Sequence, residues 1–449
     1  MKPYERYKDS GVEWIGEIPV GWSFCKLWLV IDSNQLGGNY KGGPEVGDYP
    51  LIKMGNIGRG NIVLEKVDYL TEEEEYDPSH LLVKDDFLFN TRNSRELVGK
   101  VTLWNEELES SVFNSNILRI KFMKKLFNKY MCYLFNTETF LDVLKLISKG
   151  TTNVSAIYYK DLSSVDTIEP PLPEQQQIVT YLDQKTSQVD ELIDKKTRKI
   201  ELLKEYRTSL INQVVTKGLD PNVEMKDSGV EWIGEIPVGW NTVRLKYLGD
   251  VRFSSVDKHI FKEERQVIVC NYTDVYHNER VENLGKLRKG SCSDDEFTKF
   301  ELKKDDVLIT KDSESPEDIG VPCYIPQQFD NVVCGYHLSI ISPIDLNLSG
   351  GYLFRLFQSD LFNGQFRVSA RGITRYGLSK FTIENVFVSL PPLPEQQQIV
   401  TYLDQKTQEI DTSIDTEEKK IEHLKEYRQS LISNVVTGKI DVRETFSPN

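Results

Sequence analysis

Short apolar runs alternate with charged turns along most of the chain, and two long stretches leave that pattern for a seven-residue period. Val83–Phe89 with its Asp85-Asp86 turn, Asn116–Phe122, Gln266–Val269, Asp306–Thr310 and Leu338–Ser342 read as strands. Phe127–Ile147 and Gly351–Phe366 have helical spacing and aromatic content. Each strand-rich stretch therefore predicts an α+β domain in which strands outnumber helices.

The heptad stretches each follow a PPLP segment. Pro171 and Pro173 hold the approach extended, and Glu174 places a negative charge in the first turn, where the macrodipole favours it. Leu182, Val189, Lys196, Leu203 and Leu210 occupy one core position, and Thr186, Ile193, Ile200, Arg207 and Val214 the other. The second stretch repeats this with Leu403, Ile410, Glu417, Leu424 and Leu431, then Thr407, Ile414, Ile421, Arg428 and Val435. Seven of ten positions per helix are apolar, which predicts a coiled coil. Gly218 with Pro221, and Gly438, are the stop signals. A helix from Glu174 to Thr216 is about 64 Å long at 1.5 Å per residue, more than the core of one such domain needs. Two of these would pair antiparallel, bringing Lys196 and Glu417 together near a pseudo-twofold centre.

The chain is written twice. KDSGVEWIGEIPVGW at Lys8–Trp22 recurs unchanged at Lys226–Trp240, and PPLPEQQQIVTYLDQKT at Pro170–Thr186 recurs at Pro391–Thr407. The boundaries that follow are 1–169 and 221–390 for two similar domains, 170–220 and 391–440 for two spacer helices, and 441–449 for a tail. Between the identical blocks the apolar skeleton is kept and the polar residues differ. Asp85–Arg92 aligns with Asp305–Asp312, and Val112–Asn116 with Val333–His337. Identical blocks point to a shared partner or a shared structural job, and diverged polar blocks on one core point to two different ligands. Recent duplication with drift would leave the same pattern.

Charge adds a complication. The chain has 55 Lys+Arg against 69 Asp+Glu, a net −14, which taken whole counts against a nucleic-acid partner. Cations nevertheless gather late in each domain, at Arg119–Lys160 and Arg355–Lys380, as a phosphate backbone requires. Lys149, Thr151, Thr152 and Asn153 around Gly150 match Arg371, Thr374, Arg375 and Tyr376 around Gly372. Such glycine-bent loops suit base edges, Arg for guanine and Asn for adenine. Arg92, Asn93, Ser94 and Arg95 form a second polar loop, Lys311 and Ser313 lie in its counterpart, and Arg59 sits in a glycine-rich turn. These are the candidate DNA-binding residues. Leu182, Val189, Ile193, Ile200, Leu203, Leu210, Leu403, Ile410, Ile414, Ile421, Leu424 and Leu431 are the candidate coiled-coil core.

Catalytic signatures are missing. There is no GxxxxGK[ST] loop, GxGxxG, [DNS]PP[YF], HExxH or GxSxG. Six scattered cysteines and five histidines form no metal-ligand spacing. No catalytic residue, metal or cofactor is therefore assigned. The apolar runs are too short to span a bilayer and the start of the chain is polar, which predicts a cytoplasmic location.

Two units opened by SGVEWIGEIPVGW and closed by PPLPEQQQIV plus a long helix resemble the specificity subunit of type I restriction–modification systems over nearly the whole chain. The resemblance implies that each diverged domain is a target recognition domain reading half of a bipartite double-stranded DNA site. It implies further that the helices space the halves and dock two adenine-methylating subunits, and that a translocating restriction subunit joins the larger complex. Methyl donor and ATP would belong to those partners. A stand-alone two-site DNA-binding regulator, or a coiled-coil interaction scaffold that binds no DNA, fits the residues without the resemblance.

Overall fold

The two repeats build the same sheets. In the computed structural model, which describes residues 2–45, 47–71, 75–151, 154–257 and 259–443, the chain divides into two units, 1–196 with 419–449 and 197–418. The first unit has a four-stranded antiparallel sheet ordered Ile31–Leu36, Ile117–Phe122, Phe87–Asn90, Val101–Leu103. Gly249–Phe253, Leu338–Pro343, Val307–Thr310 and Pro322–Tyr324 repeat that order in the second. Each unit adds a three-stranded sheet with one parallel pair, centred on Pro50–Ile52 in the first and on Arg265–Cys270 in the second.

The Asp-Asp turn explains why this skeleton survives divergence. Asp85 and Asp305 both take left-handed backbone, with φ of 68° and 72°. The second aspartate of each pair is buried and accepts from a backbone N–H three residues earlier, Val83 at 3.0 Å and Lys303 at 2.8 Å. The strand that follows, FLFN or VLIT, is then buried on both faces.

The long helices run Leu172–Lys217 and Leu393–Val436, each starting earlier than the acidic residue where the sequence pattern begins. Pro173 and Pro394 are tolerated because the first helical turn has no N–H partner to lose. Gly218 and Gly438 close them at φ of 74° and 76°, the left-handed cap that glycine favours. All twelve expected core residues of the coil are buried or half-buried. Each unit contains the start of one helix and the end of the other, and ion pairs fix them antiparallel. Arg428 Nε lies 3.0 Å from Asp190 Oδ1 in the first unit, and Arg207 Nε lies 2.9 Å from Asp411 Oδ1 in the second. These are one contact with the helices exchanged. Glu417 is buried, 2.9 Å from Lys199 Nζ.

The identical blocks have a structural job. Gln175 and Gln396 are fully buried, and each amide ties a helix start to its own unit with three bonds of the same kind. Gln175 Nε2 donates to the carbonyls of Lys125 and Pro170, and its Oε1 accepts from Phe127 N–H. Gln396 bonds Asn347, Pro391 and Ser349 in the same way. The helix ends are held by Tyr130 O–H on Val436 O (2.9 Å) in the first unit and, in the second, by Ser389 Oγ donating to Val215 O (3.1 Å), with Tyr352 O–H donating to Ser389 O (2.9 Å) beside it. Trp22 and Trp240 of the other repeated block are buried against these ends. Gln175→Ala would leave two carbonyls and an N–H without a partner, so a loss of roughly 2–4 kcal/mol is expected. Urea unfolding checks this: the first transition should move to lower denaturant, whereas Gln176→Ala, on the exposed side, should leave it in place.

Candidate nucleic-acid interface

The two polar loops of each repeat, far apart in sequence, fold into one small sheet. In the first unit Lys149–Gly150 pairs with Ser155–Ala156, which pairs in turn with Arg92–Asn93, all antiparallel. In the second, Arg371–Gly372 pairs with Tyr376–Gly377, which pairs with Asp312–Ser313. The hairpin needs its glycine. Gly150 and Gly372 have φ of 138° and 157°, and a Cβ would lie 2.2 Å from Val154 O or 1.9 Å from Arg375 O.

Not every expected residue is presented outward. Arg92, Arg95, Arg371, Thr374 and Arg375 are exposed, and Asn93, Ser94 and Tyr376 half-exposed. Asn93 Oδ1 accepts from Ser94 N–H, and Thr151 Oγ1 accepts from Val154 N–H to brace the hairpin. Thr152 and Asn153 lie outside the described residues. Lys149 is exposed but paired with Asp161 at 2.7 Å. Ser313 is buried and accepts from Ser315 N–H. Lys311 is half-buried between the rings of Phe253 and Tyr336, 5.0 and 4.7 Å from their centroids, and burial lowers its pKa. Arg59 donates to Glu96 O at 3.1 Å and lines a cavity of about 750 Å³ with Asn61, Lys129, Asn136 and Arg428.

The basic late halves are also less basic in space than along the chain. Arg119 is an interior residue, 8 % exposed, bonded to Asp86 at 3.1 Å, to Gln35 and to the carbonyls of Leu81 and Ser79. Arg355 is 2 % exposed and pairs with Asp404 at 2.7 Å. Lys125, Lys129 and Arg367 have carboxylate partners as well. Counting along the sequence misses acids that other elements bring alongside.

Two residues outside the expected set act at this sheet, Asp312 within it and His337 in the turn before the strand Leu338–Pro343. Asp312 Oδ1 accepts from Arg375 Nε at 3.1 Å and Nη2 at 2.6 Å, while its Oδ2 lies 2.8 Å from His337 Nδ1. The repeat alignment held the signal, since Asp312 and His337 stand opposite Arg92 and Asn116. The cysteines take no part: burial pushes the thiols of Cys132 and Cys323 up to about 12, which keeps them protonated and inert.

Comparison with known proteins adds the following. A model of the type I restriction modification DNA specificity domain matches residues 42–202 and again 237–426. The chain is 26 % identical over 440 residues to the type I restriction enzyme MjaIX specificity subunit of Methanocaldococcus jannaschii, covering 96 % of each. One similar fold is a chain from a structural study of complex assembly and conformational transition in the type I R-M system. Its TM-score is 0.71 at 17 % identity, over 94 % of this chain and 99 % of that one. The HsdS subunit of Thermoanaerobacter tengcongensis aligns with a TM-score of 0.53 at 16 % identity, over 94 % and 98 %. Among the described residues no helix is long and apolar enough to cross a membrane.

Proposed function

This chain belongs to the type I restriction–modification DNA specificity family, and from that we propose that it is a non-catalytic DNA-recognition subunit whose two units each read one half of a bipartite site. One observation carries the reading. The same three-stranded sheet occurs in both units on a shared scaffold, with different polar residues on it. Phosphate contacts fix register, whereas sequence is read by side chains at base edges. Two such surfaces that differ mainly in polar side chains therefore suit two different half-sites. Full-length likeness to a named specificity subunit disfavours both a stand-alone regulator and a scaffold that binds no DNA.

The long helices are the spacer in this reading. At 46 and 44 residues they are about 69 and 66 Å long, nearly two turns of B-DNA. They also offer one outward face twice. Gln176, Thr180 and Gln184 are exposed, as are Gln397, Thr401 and Gln405, and these residues are identical between repeats although packing does not require it. A partner that docks on this face would bind twice, which supports two adenine-methylating subunits; a restriction subunit joins the larger complex. Methyl donor and ATP are carried by those partners.

Genome-wide mapping of N6-methyladenine, with and without this chain beside its methylating subunit, tests the reading. A bipartite motif dependent on this chain is expected. Replacing Arg371, Thr374 and Arg375 together with alanine should alter only one half of it. Loss of both halves at once would contradict two independent readers.

A further inference from the structure

Arg375 is mostly exposed, yet it is held. Its side chain is 57 % exposed, whereas that of Asp312, its partner, is 17 % exposed. An ion pair this open to water adds little stability, so its consequence is orientation. Asp312 is itself fixed twice: by strand register opposite Gly377, and by His337 Nδ1 at its other oxygen. His337 holds a left-handed backbone (φ 73°) just before the strand Leu338–Pro343. Lys311, the residue before Asp312, is clamped between two rings. Asp312 Oδ1 thus accepts from both Nε and Nη2 of the guanidinium, Nη2 also lies 3.2 Å from His337 Nδ1, and Nη1 donates to no group among the described residues.

With the Nδ1 proton of His337 donated to Asp312 Oδ2, Nη1 and the second hydrogen of Nη2 are left to donate to a group outside this cluster. Two parallel donors at that spacing match the O6 and N7 acceptors of guanine in the major groove, and no other base edge presents two acceptors there. Resting on the functional reading above, we propose that Asp312 is a positioning residue that presents Arg375 to a guanine in the half-site read by the second unit. The first unit has Arg92 and Asn116 at the equivalents of Asp312 and His337, and so lacks the carboxylate that would preset an arginine. This corner of the small sheet is then one place where the two half-sites come to differ.

The test uses the full chain with its methylating subunit on a plasmid library randomised in both half-sites, read by N6-methyladenine mapping. Arg375→Ala should relax one guanine in one half-site by roughly ten- to a hundred-fold. Asp312→Asn, nearly the same shape without the charge, should relax the same position. Arg375→Lys, which keeps the charge and loses the fork, should also relax it. The other half-site and the spacer serve as folding controls and should not change. If Asp312→Asn leaves the preference intact, the positioning role is wrong. If Arg375→Ala leaves it intact while Asp312→Asn abolishes it, Asp312 reads the base directly and the proposal is overturned. A wild-type complex with no bipartite motif overturns the functional reading and this inference with it.

Discussion

Deleting one heptad from each long helix, Ile193–Lys199 and Ile414–Lys420, is expected to shorten the recognised spacer by about three base pairs and leave both half-sites unchanged. Seven residues at 1.5 Å each remove about 10 Å, and B-DNA rises about 3.4 Å per base pair. A heptad is the right unit because it turns the helix face by only about 20°, so the apolar seam stays in register. The two segments are equivalent in the repeats, so Asp190 can still meet Arg428 and Arg207 can still meet Asp411. Deletion from one helix alone should instead misalign these pairs and weaken the coil. N6-methyladenine mapping checks the outcome, and an unchanged spacer would rule out the helices as its determinant.

Asp86→Ala is expected to be the most damaging single substitution, destabilising the first unit by roughly 3–5 kcal/mol. The cost arises because Arg119 is buried and would keep its charge after losing its only carboxylate partner among the described residues. The change also removes the acceptor for Val83 N–H at the left-handed Asp85 turn. Asp86→Ala with Arg119→Met should recover most of the loss, since exchanging a buried pair for apolar groups is often nearly neutral. Hydrogen exchange gives the readout. Amides of Phe87–Asn90 and Ile117–Phe122 should lose protection in the single variant, and those of Val307–Thr310 in the second unit should not. A single variant as stable as the double one would mean that Arg119 does not need Asp86.

Much of this protein is written in its repeats. The heptads at Leu182–Leu210 and Leu403–Leu431, the glycine stops and the two-unit organisation follow from periodicity and identity, because coil packing and helix termination depend on residues near in sequence. The polar loops at Arg92 and Lys149, and at Asp312 and Arg371, are likewise visible as separate segments on a shared apolar skeleton. Their joining into one sheet is not visible, since it depends on backbone pairing over about sixty residues. The helices begin earlier than the charge pattern suggests because Gln175 and Gln396 anchor the first turn from inside the fold.

The sequence by itself therefore determined the doubling, the long helices and the family, all carried by local period and by repetition. Tertiary structure alone decided which charges face outward. Arg119 and Arg355 are counted as part of a basic stretch along the chain, but acids from other elements draw them into the interior. Arg375 stays at the surface, set in one orientation by an aspartate 63 residues away. A charge is specified by its residue, but its direction is set by whatever partner the fold places beside it.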